Sequence, residues 1–286
     1  YHFTTISWIN SFPVVPGLAN LHDRLGFNQS YFLFLGLLNV HPLFGEGYHT
    51  ANSLLCFILV SQCLGSALNA VVGNGRPSPV LVLQCILLPV VLAHALDGDV
   101  SSPTPDLAVF IVTMAAFIQL ARLLAAGETA ADSLDRQMSL LIAVLLAGCT
   151  LKLSFIAFAF SSLVIAILFG HQRRHGVAWV PLRADLVLIV VGGLFWGVPY
   201  AIHGAILSGY PCFPSTVFAW DCDWRLPLHE AQDAANWVFS WARTPGASPQ
   251  QVLGNWNWLG PWCARNLANP AVFIPLLAAT GGTVAV

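Results

Sequence analysis

Apolar residues in this chain gather into long runs separated by short polar stretches. A bilayer crossing needs roughly 20 consecutive, mostly apolar residues. Runs of that kind occupy 50–72, 78–97, 105–124 and 186–207, with a longer one over 138–170 and a last one over 270–286. The 138–170 run is broken by charge only at Lys152, in Cys149-Thr150-Leu151-Lys152-Leu153-Ser154. That break predicts a tight hairpin of two short helices turning near Lys152; one long tilted helix is the competing geometry. Residues 1–49 predict an outer loop, with 31–45 lying along the membrane interface. The polar 208–269 segment predicts two short helices. In the first, Leu228, Ala231, Ala235, Val238 and Trp241 share a stripe, and Pro245-Gly246 ends it. The second has Ser248 as N-cap and Pro249 in its first position.

The expected fold is therefore all-α, a polytopic transmembrane helical bundle with a small helical extracytoplasmic segment. Its expected layout is an extracytoplasmic loop over 1–49, a bundle of about six spans over 50–207, a Trp-rich extracytoplasmic segment over 208–269 and the start of a further span over 270–286. Composition agrees. The chain is 57% hydrophobic and 8% charged, with mean hydropathy +0.72, against about 25% charged residues in soluble domains. Such a chain cannot cover a globule with polar surface. A net charge of −2 leaves no basic footprint for nucleic acid.

Sidedness is set by basic residues in short loops. Arg173 and Arg174 in 171–176, together with Arg183, place that loop in the cytoplasm. Arg76, Arg122 and Arg136 put the 73–78 and 125–137 loops on the same side. The 138–170 run must then cross twice, and the opening loop, residues 97–106, the Lys152 turn and 208–269 all face outward. The sequence starts at Tyr1 without Met and lacks the basic and apolar regions of a signal peptide. It reads as a piece of a longer chain that also ends inside a helix.

The candidate chemistry lies on that outer side. Lys152 is the only Lys among eleven basic residues; an ammonium there could meet a phosphate, or reach to lipid headgroups. Asp106 comes directly after Pro105 at a helix start, where a carboxylate interacts favourably with free backbone N–H groups. Asp97 and Asp99 could hold a divalent cation, the one cofactor the sequence suggests. His22, Asp23 and Arg24 occupy a polar turn, and His203 reads as a packing residue near the end of its span. Cys56, Cys63, Cys85 and Cys149 read as small buried hydrophobes, whereas a disulfide could join two of Cys212, Cys222 and Cys263. Seven of ten Trp, including Trp220 and Trp224, fall in 208–269. They could anchor in headgroups or stack on sugar rings. Asn28-Gln29-Ser30 also spells a glycosylation sequon.

The stretches PVVPGLANLHDRLGFNQSYF, SSPTPDL, LKLS and SGYPCFPS with a later DWRLP together resemble a bacterial family of polytopic membrane proteins similar to GT-C class glycosyltransferases. The resemblance covers most of the chain. It implies transfer of a sugar from a polyprenyl-phosphate donor outside the bacterial cytoplasmic (inner) membrane, with an acidic residue in the first outer loop. The head of this sequence would be the second half of that loop. The acid that precedes the Tyr-His pair in such proteins has no counterpart here, so the carry-over reaches only His2, His22 and Lys152. Asp23 could stand in as general base beside His2 and His22. Lys152, Arg24, Asp106, Trp220 and Trp224 would then bind the substrate. Membrane lipids and other membrane subunits are the further expected partners. The competing class is a non-catalytic accessory or scaffold subunit of a larger, energy-transducing or photosynthetic complex. A transporter would predict broken helices in two corresponding halves, and no such repeat is present.

Overall fold

The computed structural model describes residues 1–39, 45–73, 78–96, 100–125, 131–175, 183–269 and 273, and the side chains of all of these except 131–135, 170–175 and 183–185. The described residues are helical, without a strand. In chain order the helices are α1 (His2–Ser11), α2 (Ser30–Leu37), α3 (Ala51–Val72), α4 (Pro79–Leu96), α5 (Pro105–Ala125), α6 (Ala131–Leu151), α7 (Ile156–His175), α8 (Arg183–Ser208), α9 (Leu228–Arg243), α10 (Pro249–Val252) and α11 (Leu259–Ala268). Among the described residues, four helices are long and apolar enough to cross a membrane: 47–72, 79–96, 105–125 and 186–208. Two shorter apolar helices, 136–151 and 153–169, correspond to the 138–170 run. The chain leaves the helix at Lys152, whose backbone is extended (φ −158°, ψ 129°), so the single tilted helix does not form. Apart from Phe273, the expected 270–286 run lies outside the described residues, as do Arg76, Asp97 and Asp99.

The chain divides into two compact units. Unit 1 comprises Tyr1–Val15 and Asn28–His203; unit 2 comprises Pro16–Phe27 and Gly204–Val286.

Unit 1 is organised around α5, which has apolar side chains on two faces. Leu107, Ile111, Met114 and Ile118 recur at helical spacing and pack on Cys56, Leu59 and Cys63 of α3 and on Leu87 and Val91 of α4. Ala116, Leu120 and Leu123 form the second face, against Met138, Leu141, Ile142 and Leu145 of α6 and Ala159 and Ala166 of α7. Residues spaced i, i+3, i+4 and i+7 share one side of a helix, which explains how one element serves two cores. Elsewhere large apolar side chains point outward: Phe57 is 70% exposed, Phe195 72% and Val71 85%. In water, leaving such a side chain exposed forgoes about 1.5–3 kcal/mol. Acyl chains remove that cost, and packing between helices then has to supply the association.

The opening residues correct an expectation. The sequence suggests a loop over 1–49 with one interfacial helix, yet His2–Ser11 is also helical. Its β-branched and hydroxyl residues are poor helix formers, so local propensity gives little sign of it. The helix is held by packing: Ile6 is buried among Tyr31, Phe32, Leu35, Ala51 and Ala108.

Unit 2 is built on the last turn of α8, whose carbonyls would otherwise lack partners. The Gly17 N–H donates to the Ile206 carbonyl at 2.8 Å, and the Leu226 N–H to that of Ser208 at 3.0 Å. The Trp224 indole N–H donates to the Ala205 carbonyl at 3.3 Å. Gly209 ends the helix in the left-handed region (φ +81°), where a Cβ would sit 2.5 Å from Cγ of Arg225. Ala19, Tyr210, Phe213, Leu226, Ala231 and Ala234 form the core of this unit. Both short helices expected in the Trp-rich segment are present as α9 and α10. Only the small part of the α9 stripe is buried, however: Ala231 is covered, whereas Leu228, Val238 and Trp241 are exposed. Cys212, Cys222 and Cys263 are free thiols, so the disulfide is not formed.

Candidate functional site

The polar side chains of unit 1 concentrate where α2, α3 and α5 begin and where α6 turns into α7. Asn52, in the first turn of α3, is the central connector. Its amide NH2 donates to the carbonyls of Ser102 at 2.8 Å and Thr104 at 3.0 Å. Its Oδ1 accepts from the buried Tyr31 hydroxyl at 2.5 Å. Burial raises the Tyr31 phenol pKa, and Cys56 adds a smaller effect in the same direction. The hydroxyl therefore acts as a neutral donor. Ser53 Oγ donates to the Val100 carbonyl at 3.1 Å, and the His49 ring lies 2.7 Å from the Ser101 carbonyl. The 100–104 segment is thus fixed to the start of α3.

Lys152 and Asp106 meet at this end. The Lys152 ammonium forms an ion pair with the Asp106 carboxylate. Their side chains are 35% and 66% exposed, so both remain open to solvent. Asp106 is in the first turn of α5, where the helix dipole favours its negative charge. Thr104 Oγ1, 3.4 Å from Asp106 Oδ2, helps to orient it. Lys152 is positioned by the α6–α7 turn: its neighbour Leu151 packs on the α1–α2 core, and Ser30 Oγ donates to Thr150 Oγ1 at 3.0 Å. Gly148 lies so near the Phe155 ring that a Cβ would come within 2.3 Å of it. The Lys152 ammonium is thus not isolated, as its place in an apolar run suggests. An –NH3⁺ group has three donors, so pairing with one carboxylate oxygen leaves capacity for a phosphate oxygen.

The remaining sequence candidates are divided between the two units. His2, in α1, places its ring against Tyr1 (4.2 Å between centroids) and Phe32 (5.5 Å). His22, Asp23 and Arg24 belong to unit 2 and form a local turn. The Asp23 carboxylate lies 2.7 Å from His22 Nδ1 and accepts the Arg24 backbone N–H at 2.7 Å. Trp220 and Trp224 also belong to unit 2. His203 has the satisfied packing role expected of it, since its Nδ1 lies 2.8 Å from Asn28 Oδ1. Asn28 in turn donates through Nδ2 to the Tyr200 carbonyl at 2.5 Å. With the amide oriented by that carbonyl, His203 Nδ1–H is the donor to Asn28 Oδ1. Among the described residues, no group of three His, Cys, Asp or Glu side chains could hold a metal ion.

Residues 1–282 match a family described as a domain of unknown function (DUF8201). The chain belongs to that family. No curated protein and no solved structure matches it. Within this family member, sequence reasoning overlooked Asn52, Tyr31 and Thr150. Asn52 carried a readable signal: a carboxamide one residue inside an apolar span needs partners, because an unpaired polar group in a membrane is costly.

Proposed function

We propose that this chain is a GT-C-like glycosyltransferase that takes a sugar from a polyprenyl-phosphate donor on the outer side of a bacterial cytoplasmic membrane. One observation carries the reading. A solvent-open carboxylate and the chain's only lysine ammonium are held together at the polar end of an apolar bundle. In the proposed reaction the acceptor hydroxyl oxygen attacks the anomeric carbon, and the bond from that carbon to the phosphate oxygen breaks with inversion. The hydroxyl proton passes to the Asp106 carboxylate as general base. The electron pair leaves on the lipid phosphate, whose charge the Lys152 ammonium stabilises. Asp106 takes the role that Asp23 would have had, because Asp106 is the carboxylate held beside the Lys152 ammonium, whereas Asp23 pairs with His22.

The test is a transfer assay with polyprenyl-phosphate sugars on the intact membrane protein. Replacing a general base typically costs about 100-fold or more, so Asp106→Asn is expected to lower kcat by roughly that factor. Lys152→Ala is expected to lose transfer as well. Equal activity in both variants and the parent rejects the assignment.

The ion pair also favours a second reading, a non-catalytic subunit of a larger membrane complex. A cation already matched by a carboxylate needs no ligand. On that reading both variants weaken co-purification with partner subunits, and the parent transfers no sugar.

A further inference from the structure

Unit 2 begins inside a membrane span, since Gly204–Ser208 form the last turn of α8. Its remaining helices are not built like those of a water-soluble domain. From α9 the small residues Ala231, Ala234 and Ser240 are buried, while Phe239 (58% exposed) and Trp241 (57%) remain outside. No residue of α11 is buried, and it exposes Leu259, Trp262 and Leu267. The two helices are joined by an Arg-Trp cluster. The Arg243 guanidinium lies 5.0 Å from the centroid of the Trp258 ring, and Arg265 donates to the Arg243 carbonyl at 3.0 Å. Trp258 is flanked by Trp256 at 5.8 Å and Trp262 at 6.4 Å. Along α9, His229, Glu230, Gln232 and Asp233 provide exposed polar positions.

We propose that α9 and α11 lie in the headgroup layer of the membrane that α8 spans. Trp241 and Trp262 reach the acyl boundary, and Arg243 and Arg265 adjoin lipid phosphates. Three features select lipid as the occupant. The unit is continuous with a span, so its helices start at a bilayer surface. Trp is enriched in the interfacial belt, where an apolar ring and a polar N–H are both accommodated. Interfacial helices combine such aromatic residues with basic ones and settle about 5–10 Å into the headgroup boundary.

The experiment uses the full chain reconstituted into phosphatidylcholine vesicles, with and without bromine on the acyl chains near the glycerol. Trp241→Phe and Trp262→Phe, made singly, identify each residue's fluorescence by subtraction and conserve an aromatic ring. Brominated lipid is expected to quench the subtracted component, while iodide on both sides of the vesicle leaves it intact. Quenching by iodide but not by bromine overturns the proposal. So does protection from iodide by an added oligosaccharide without bromine quenching, which would make the cluster a sugar platform. Shielding that grows only with the protein-to-lipid ratio also overturns it, in favour of a second copy of the chain. The readout needs no transferase activity, so failure of the proposed reaction leaves this test standing.

Discussion

Large side chains meet different fates on α5 of unit 1 and on α9 and α11 of unit 2. In unit 1, Leu, Ile, Met and Phe interlock between helices, as around α5, where 44% of the most apolar stretch is buried. In unit 2 the buried part of α9 is Ala231, Ala234 and Ser240, and backbone carbonyls of α8 are closed by N–H groups from Gly17 and Leu226. The large aromatic side chains of α9 and α11 stay outside. Hydrophobicity alone therefore does not say what is interior. A bundle that presents apolar residues to lipid must win its packing through shape and hydrogen bonds, and α9 contributes to the core of unit 2, around Tyr210, Phe213 and Leu226, only small residues.

The contrast can be broken by substitution. The largest loss is expected for Asn52→Leu, which strands the Tyr31 hydroxyl and removes a donor from the Ser102 and Thr104 carbonyls. A buried group left unsatisfied costs about 1–3 kcal/mol, so thermal unfolding in detergent should show a pronounced drop in midpoint. An unchanged midpoint would mean that this network does not hold the helix starts together. Gly209→Ala comes next. A side chain at φ +81° meets Arg225, and left-handed backbone alone costs about 1–3 kcal/mol in non-glycine residues. Limited proteolysis should then open the 210–269 region while the unit 1 fragments persist. The smallest effect on stability belongs to Lys152→Ala. Solvent-open ion pairs contribute about 0–1 kcal/mol, so its midpoint should stay close to the parent's even as transfer is lost. A large stability change there would recast the pair as structural.

Much of the helical pattern was legible. The 50–72, 78–97, 105–124 and 186–207 runs sit close to the bounds of α3, α4, α5 and the apolar part of α8, because a span must be long and apolar to satisfy its backbone within lipid. The break at Lys152 was legible for the same reason, as the one charge in its run. Partnerships were not. Nothing in the spacing of Asp106 and Lys152 announces that they meet, since hydropathy reports what avoids water and not which helix lies beside which. α1 was missed because Ile6 owes its helix to neighbours distant in sequence. The inclusion of Pro16–Phe27 in unit 2 depends on the Gly17 and Asn20 hydrogen bonds, which connect it to residues far along the chain.

The carboxamide of Asn28 carries one more consequence. Only 5% of this residue is exposed, its nitrogen is bonded to the Tyr200 carbonyl and its oxygen faces His203. An oligosaccharyl transferase needs that nitrogen accessible on an extended strand of chain. Folded protein produced in a glycosylating host should thus carry no glycan at this tripeptide, and its intact mass should equal that of the bare polypeptide.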